Sequence, residues 1–185
     1  MPRTPKLPAP PLPGPLREPP PRPGEENGAG LGEDLQQAGI SVIGNFIFGL
    51  PDDDLKTMQQ TLDLAIELNC EFANFYSAMA YPGSPLFRMA VDNGWALPET
   101  WSGFSQHSYD CLPLPTEKLS AAEVLGFRDE AFDRYFSTKR YLDMVTQKFG
   151  WDARTHIERM ASHNLQRKIL EPSNTPSEAT ESSVS

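Results

Sequence analysis

The stretch that most constrains the fold of this chain is residues 39–83, where two apolar runs flank a segment with helical periodicity. The first run, Ile40 to Phe48, is almost continuously apolar, which is typical of a parallel strand covered on both faces. The second run, Phe72 to Ala80, is rich in aromatic residues and ends at a Tyr-Pro-Gly turn. The connection is long enough for a right-handed crossover, so the sequence predicts a parallel β-α-β unit.

The helix of this unit is predicted to begin just after Pro51. Proline cannot donate to a strand ladder, and the three acids at 52–54 place negative charge where a helix N-terminus is partly positive. These acids could instead hold a divalent cation, but no glycine and glutamate frame of a calcium loop follows them. Apolar side chains then recur at the steps that build one helical face: Leu55, Met58, Leu62, Ala65 and Ile66.

Both ends of the chain differ in composition from this unit. Eleven of the 19 prolines fall within the first 23 residues, which excludes a regular helix or central strand there. The residues after Leu170 contain no aromatic side chain and one larger aliphatic, Val184, so they have little apolar surface to bury. We expect a disordered leader rich in proline and glycine at 1–32 and a disordered tail at 171–185.

The rest of the chain divides into a β/α region at 33–115 and a helical region at 116–170. Within the latter, Ser120 with Glu123 and Thr155 with Glu158 have the spacing of capping boxes, so two helices are expected to begin there. The segment before them, residues 95–115, has no regular pattern. Long irregular loops often carry function.

Charge and cysteine content limit the class of protein. The net charge of −9 and the pI near 4.8 argue against nonspecific binding to nucleic acid or anionic membranes. There is no signal-peptide pattern and no apolar stretch long enough to span a bilayer, so a cytoplasmic protein is expected. Cys70 and Cys111 are too far apart for a C-x-x-C pair, and we expect buried thiols.

Polar residues within the apolar runs are the candidate ligand contacts, because an unpaired amide is costly to bury. Period-two alternation places Asn45 with Ile47 on one face of the first strand, and Asn74, Tyr76 and Ala78 on one face of the second. Ligands of α/β sheets bind at the carboxyl ends of the strands. The alternative is that each amide only bonds a neighbouring group.

Motifs for other chemistries are missing or incomplete. The sequence has no G-x-G-x-x-G, no phosphate-loop lysine and no G-x-S-x-G. His107 with Cys111 and His156 with His163 are the closest metal-ligand pairs, and each pair has too few ligands for a site. No metal ligand is therefore predicted on this chain.

Three segments resemble the second half of radical S-adenosylmethionine (radical SAM) enzymes, in the branch that carries a cobalamin-binding domain. The segments are GISVIGNFIFGLPDDD, TMQQTLDLAIELNCEFANFYSAMAYPGSPLF and LSAAEVLGFRDEAFDRYFSTKRYL, within a likeness that extends from Gln37 to Leu170. The resemblance implies a partial (β/α) TIM-like barrel at 33–115 with a C-terminal helical appendage. Family members use a [4Fe-4S] cluster to cleave S-adenosylmethionine to a deoxyadenosyl radical, which abstracts hydrogen from a substrate, here unknown.

The resemblance also implies cofactors and contact residues. S-adenosylmethionine and [4Fe-4S] are implied for the whole enzyme, with cobalamin as a cofactor of this branch. The two strands would flank S-adenosylmethionine near its adenine, and the matching residues are Asn45, Ile47, Tyr76 and Ala78.

One departure from the family pattern decides how the chain can act. The C-x-x-x-C-x-x-C motif that holds the cluster is missing, as are the earlier strands and the cobalamin domain. We therefore expect a C-terminal fragment that is not catalytic alone, with a second chain as a candidate source of the missing barrel half. The alternative is a noncatalytic α/β binding or assembly module. In either case the exposed edge of the sheet needs cover.

Overall fold

The structure is a computed structural model that describes residues 34–171. The predicted leader and nearly all of the predicted tail lie outside this range. Short 3-10 helices cover Trp101–Phe104 and Lys168–Leu170. The strands and α-helices, in chain order, are β1 (Ile43–Phe48), α1 (Leu55–Leu68), β2 (Phe72–Ser77), α2 (Pro85–Asp92), α3 (Ala121–Phe136), α4 (Lys139–Phe149) and α5 (Trp151–Ala161).

Strands β1 and β2 are adjacent and parallel, and α1 connects them. Ile43 lies opposite Phe72, and Phe48 lies opposite Ser77. The predicted β-α-β unit and the α/β class are confirmed. Both strands are shorter than predicted, since β1 begins at Ile43 and β2 ends at Ser77.

The acids after Pro51 start helix α1, as the sequence predicts. Asp54 is the N-cap, and its Oδ1 accepts hydrogen bonds from the backbone N–H groups of Lys56 and Thr57, each at 3.0 Å. Asp53 accepts a bond from the backbone N–H of Leu50 at 2.9 Å. These contacts fix the turn that leads from β1 into the helix.

One face of the sheet is the centre of the hydrophobic core. Phe48 and Phe75 stack with ring centroids 5.9 Å apart, and α1 covers them with side chains that include the fully buried Met58 and Leu62. Helices α3 and α4 complete this core with buried residues that include Val124, Tyr135, Tyr141 and Val145. Both the crossover helix and the C-terminal helices therefore cover the buried face of the sheet.

The prediction that both faces of the strands are covered is wrong for the described part of the chain. Ile43 is 59% exposed, Ile47 48% and Phe72 51%, all on the face opposite the core. A continuous apolar run indicates that both faces suit burial, but it does not supply the second covering layer. The sheet in residues 34–171 has two strands, so the barrel interpretation stays a proposal.

The helical region is confirmed, but one predicted helix start is wrong. Ser120 and Glu123 form the predicted capping box of α3. Thr155 instead lies inside α5, where its hydroxyl donates to the carbonyl of Trp151 at 3.0 Å. Helix α5 begins earlier because Gly150, at φ 87°, ends α4 and starts α5 in a single tight turn.

The stretch between α2 and α3 is mainly irregular, as predicted, and packs against the carboxyl end of β2. The backbone N–H of Leu114 donates to the carbonyl of Ala78 at 2.9 Å. Within residues 34–171, no helix has the length and apolar content needed to cross a membrane.

Candidate functional site

The face of the sheet opposite the core is the candidate ligand surface, and we call it the open face. It consists of three cross-strand pairs in the parallel register. Apolar side chains occupy both ends of this surface, and two amides occupy its centre. The pairs are Ile43 with Phe72, Asn45 with Asn74, and Ile47 with Tyr76.

The two central amides bond each other across the strands. The Nδ2 group of Asn74 donates to Oδ1 of Asn45 at 3.0 Å, and both side chains are exposed. This contact uses one donor hydrogen of Asn74 and one acceptor of Asn45. The Nδ2 group of Asn45 and the Oδ1 atom of Asn74 have no partner among the described residues, so the pair keeps one donor group and one acceptor for a ligand.

The structure brings together three of the four predicted contact residues. Asn45, Ile47 and Tyr76 lie on the open face. Ala78 lies beyond the end of β2 and is 4% exposed. Its N–H donates to the carbonyl of Phe48, and its carbonyl accepts from Leu114, so neither backbone group is available to a ligand. Ala78 therefore does not share the open face with the other three residues.

Two aromatic side chains stack on each other in the segments that follow the carboxyl end of β2. Tyr81, which is 50% exposed, stacks on Phe104 with ring centroids 6.1 Å apart. At the same end, the buried side chain of Gln106 bonds the N–H, hydroxyl and carbonyl of Ser77 at 2.9 to 3.0 Å. Gln106 therefore takes the place that a neighbouring strand would have.

The two outer edges of the sheet differ. The ladder runs from the N–H of Phe72 to the carbonyl of Val42, so the even-numbered residues of β2 face β1 and its odd-numbered residues face outward. Side chains bond this outer edge at three places: Tyr141 at the carbonyl of Glu71, Arg128 at Phe75, and Gln106 at Ser77.

The outer edge of β1 has no such caps. By the same ladder, the N–H and carbonyl groups of residues 43, 45 and 47 point away from β2. No residue within 34–171 bonds them. An open edge of this kind is a template for pairing with another strand.

A buried carboxylate anchors the amino ends of the strands. Glu71 is 1% exposed, and its side chain accepts from the N–H of Val42 at 2.8 Å and from Gln36 at 3.1 Å and pairs with Lys148. Burial alone would raise the pKa of Glu71, but the bonds from Lys148, Val42 and Gln36 outweigh it and hold the pKa at about 2. These partners satisfy the carboxylate, so its role is structural.

Two buried arginines share one carboxylate behind the irregular segment. Arg167 contacts both carboxylate oxygens of Asp129 at 2.8 and 2.9 Å, and Arg128 contacts one of them at 2.8 Å. Both arginine residues are 3% exposed. The cluster therefore holds one more positive than negative charge.

The cysteines are buried thiols, as predicted. Cys70 and Cys111 are 2% and 1% exposed, and neither forms a disulfide. Burial raises the pKa of both thiols, so both are protonated at neutral pH. Within the described range, no cluster of three or more histidine, cysteine or acidic side chains could hold a metal ion.

The histidines are where sequence reasoning missed a grouping. The sequence paired His107 with Cys111, but Cys111 packs in a separate cluster with Met79 and Leu125. His107 instead lines one cleft together with His156 and His163. His107 is 49 positions from His156 and 56 from His163, so only the tertiary structure brings the three together.

Comparison with known proteins gives one partial likeness. No family model matches the chain. A stretch of 67 residues, or 36% of the chain, is 31% identical to an uncharacterized methyltransferase of Pyrococcus horikoshii. The match covers 15% of that relative, so the chain spans a small part of the length of the protein that it resembles.

Proposed function

We propose that this chain is the C-terminal part of a radical SAM enzyme of the cobalamin-binding branch, and that its open face forms one wall of the S-adenosylmethionine site. The likeness to a methyltransferase supports an enzyme that handles a methyl donor. The resemblance described above implies S-adenosylmethionine as that donor, and it is the source of the radical and cobalamin assignments.

The observation that carries this proposal is the amide pair set between apolar side chains on an uncovered face. The Nδ2 group of Asn45 can donate to, and the Oδ1 atom of Asn74 can accept from, the acceptor and donor groups that adenine presents on its edge. Ile47 and Tyr76 lie next to this pair and can cover one side of the flat ring. A nucleoside end of S-adenosylmethionine fits this chemistry.

The iron-sulfur cluster does not fit the described residues. A site with three thiolates is required, and the two thiols of the chain are buried and held in different places. The cluster must come from another segment or chain. The described residues also suggest no particular contact for cobalamin.

The role of this chain in the reaction is therefore to bind and orient the cofactor. Asn45 and Asn74 would hold the base edge, while Ile47 and Tyr76 would exclude water from one side of the ring. Bound S-adenosylmethionine supplies the radical chemistry of the complete enzyme. The substrate contacts would come from the part that this chain lacks.

Calorimetric titration with S-adenosylmethionine tests the site. We expect the full chain to bind it and both Asn45→Leu and Tyr76→Leu to weaken binding by about tenfold, since each removes a polar contact or an aromatic surface. Gln60→Leu is the matched control, because it makes the same kind of change on an exposed position of α1. Unchanged affinity in both site variants, with native circular dichroism, would overturn the site.

Anaerobic reconstitution with iron and sulfide tests the fragment assignment. We expect no cluster absorbance or paramagnetic signal from the purified chain, because three thiolate ligands are not assembled. A stable cluster that cleaves S-adenosylmethionine would contradict this assignment.

A noncatalytic assembly module is the second candidate, and the open edge of β1 favours it. Strand addition at residues 43, 45 and 47 would pair those backbone groups and place a further strand beside the open face. Sedimentation velocity tests whether a second copy supplies that strand. In that case the chain dimerises, Ile43→Lys abolishes the dimer, and S-adenosylmethionine does not bind.

A further inference from the structure

A large cleft lies along the outer edge of β2 and shares Phe72 and Asn74 with the open face. It has a volume of about 760 Å³, within the range of small-ligand sites. Its floor is the outer edge of β2 at Ala73, and α3 and α5 form its sides. The apolar walls consist mainly of Phe132, Phe136, Ile157, Met160 and Leu165.

The floor of the cleft is a gap in the side-chain caps along the outer edge of β2. The carbonyls of Glu71 and Phe75 on either side are bonded by Tyr141 and Arg128. The N–H and carbonyl of Ala73 point the same way, and nothing in the described part of the chain bonds them. Ala73 is 8% exposed, and a nearly buried peptide group without a partner is uncommon. The N–H of one ligand peptide group and the C=O of a neighbouring one would satisfy both groups.

The rim of the cleft favours an anion. Besides Asn74 and Tyr141, its polar side chains are His107, His156, His163 and Arg159, and no carboxylate of residues 34–171 lines it, although the chain has a net charge of −9. None of the three imidazoles, nor the Arg159 guanidinium, has a hydrogen-bond partner within residues 34–171. Each can therefore donate to a ligand.

The charges behind the rim reinforce this preference. Arg128 and Arg167 together carry two positive charges against the single charge of Asp129, and their field also lowers the pKa of His107, in addition to the effect of burial. The other nearby acid, Asp133, lines only the smaller adjoining cavity. Burial, together with the charge of Asp129, raises the pKa of Asp133.

We propose that this cleft binds the carboxyl terminus of an apolar peptide. The terminal carboxylate lies at the rim with Arg159 and the histidines, an apolar side chain lies between α3 and α5, and the preceding amide pairs with Ala73 as one step of strand addition. This assignment does not depend on S-adenosylmethionine.

Calorimetric titration of the full chain with acetyl-leucyl-phenylalanine tests the proposal. We expect the free acid to bind, and the peptide with an amidated carboxyl group to bind about tenfold more weakly, because it loses a charge-assisted hydrogen bond. Methylation of the nitrogen between the two residues is expected to weaken binding about fivefold, since it removes one neutral hydrogen bond to the strand edge.

Two protein variants test whether Arg159 binds the carboxylate of the peptide. Arg159→Gln is expected to weaken the free acid about tenfold and to leave the amidated peptide unchanged. Arg88→Gln changes the net charge equally on exposed α2, away from the cleft, and is expected to have no effect.

Three results would overturn the assignment. They are no binding of the free acid by folded chain, equal affinity for the free and amidated peptides, and equal weakening by Arg159→Gln and Arg88→Gln. The first result would show that the peptide is not a ligand, and the second that its carboxylate does not contribute to binding. The third would show that binding depends on the net charge of the protein and not on a contact with Arg159.

Discussion

The buried and open faces of the same two strands have similar apolar content but different surroundings. Phe48 and Phe75 on the buried face are 0% and 1% exposed under α1 and the C-terminal helices. Ile43 and Phe72 on the open face are 59% and 51% exposed. The strand sequences suit cover on both sides, and the described chain supplies only one cover. The comparison teaches that apolar content reports what a strand can bury, whereas the number of packed layers decides what it does bury.

The largest expected difference is between two phenylalanines of β2. Phe75→Ala is expected to lower the free energy of unfolding by about 3–5 kcal/mol, because it opens a cavity in the core. Phe72→Ala should cost less than about 1 kcal/mol, since its ring is half exposed and its aromatic neighbour is Phe149, at a centroid distance of 6.0 Å. Urea denaturation of both variants measures this difference. Equal losses would mean that the open face is covered in solution.

A second expected difference concerns pH and the anchored end of the sheet. The folded-state pKa of Glu71 is about 2 against an ordinary value of 4.5, so its ionised form stabilises the fold fully above pH 4.5. This contribution is expected to be about 3 kcal/mol and to be lost as the pH falls from 4.5 towards 2.

Denaturation of Glu71→Gln across this pH range checks the assignment. The variant should be less stable at pH 6 and should lose less stability than the wild type on acidification. Glu67→Gln, at an exposed position of α1, is the control and should titrate like the wild type. A Glu71→Gln variant with the wild-type pH profile would show that the carboxylate is not held by its partners.

The capped edge of β2 offers a smaller comparison. Tyr141→Phe removes the hydroxyl that donates to the carbonyl of Glu71 at 3.1 Å, and is expected to cost about 1 kcal/mol. Tyr76→Phe on the open face removes a hydroxyl for which the described residues provide no partner, and should be nearly neutral. Thermal denaturation of both variants measures the difference. A neutral Tyr141→Phe would mean that the cap does not stabilise the edge.

The smallest expected effect lies at the centre of the open face. A double-mutant cycle of Asn45→Ala and Asn74→Ala should give a coupling energy of no more than about 0.5 kcal/mol in the absence of ligand, because water competes for exposed amides. Saturating S-adenosylmethionine is expected to increase that coupling. A coupling above about 1.5 kcal/mol without ligand would favour a purely structural pair, the alternative that the sequence left open.

Sequence patterns predicted the starts of helices correctly where all the residues that determine the start lie in one short segment. Pro51 and the acids at 53 and 54 are adjacent to the helix that they start, and Ser120 with Glu123 caps α3 as expected. The Thr155 prediction failed because the capping-box spacing is also compatible with a helix interior. The tight turn at Gly150 decided between the two.

The candidate site was predictable only in part. Alternation along the strands placed Asn45, Ile47 and Tyr76 on one face, since side-chain direction follows from the strand period. It could not reveal that Ala78 is covered and bonded by Leu114, a residue far along the chain. Its cofactor role, like that of the other three residues, stays a prediction until binding is measured.

The sequence by itself determined the β-α-β unit, its helix start and the identity of the residues that share a strand face, because these follow from interactions over a few positions. Only the tertiary structure decided that one face is open, that side chains cap the edge of β2, and that three distant histidines meet at one cleft. The physical reason is that exposure and edge bonding depend on contacts between segments far apart in sequence, and those contacts leave no periodic pattern in either segment.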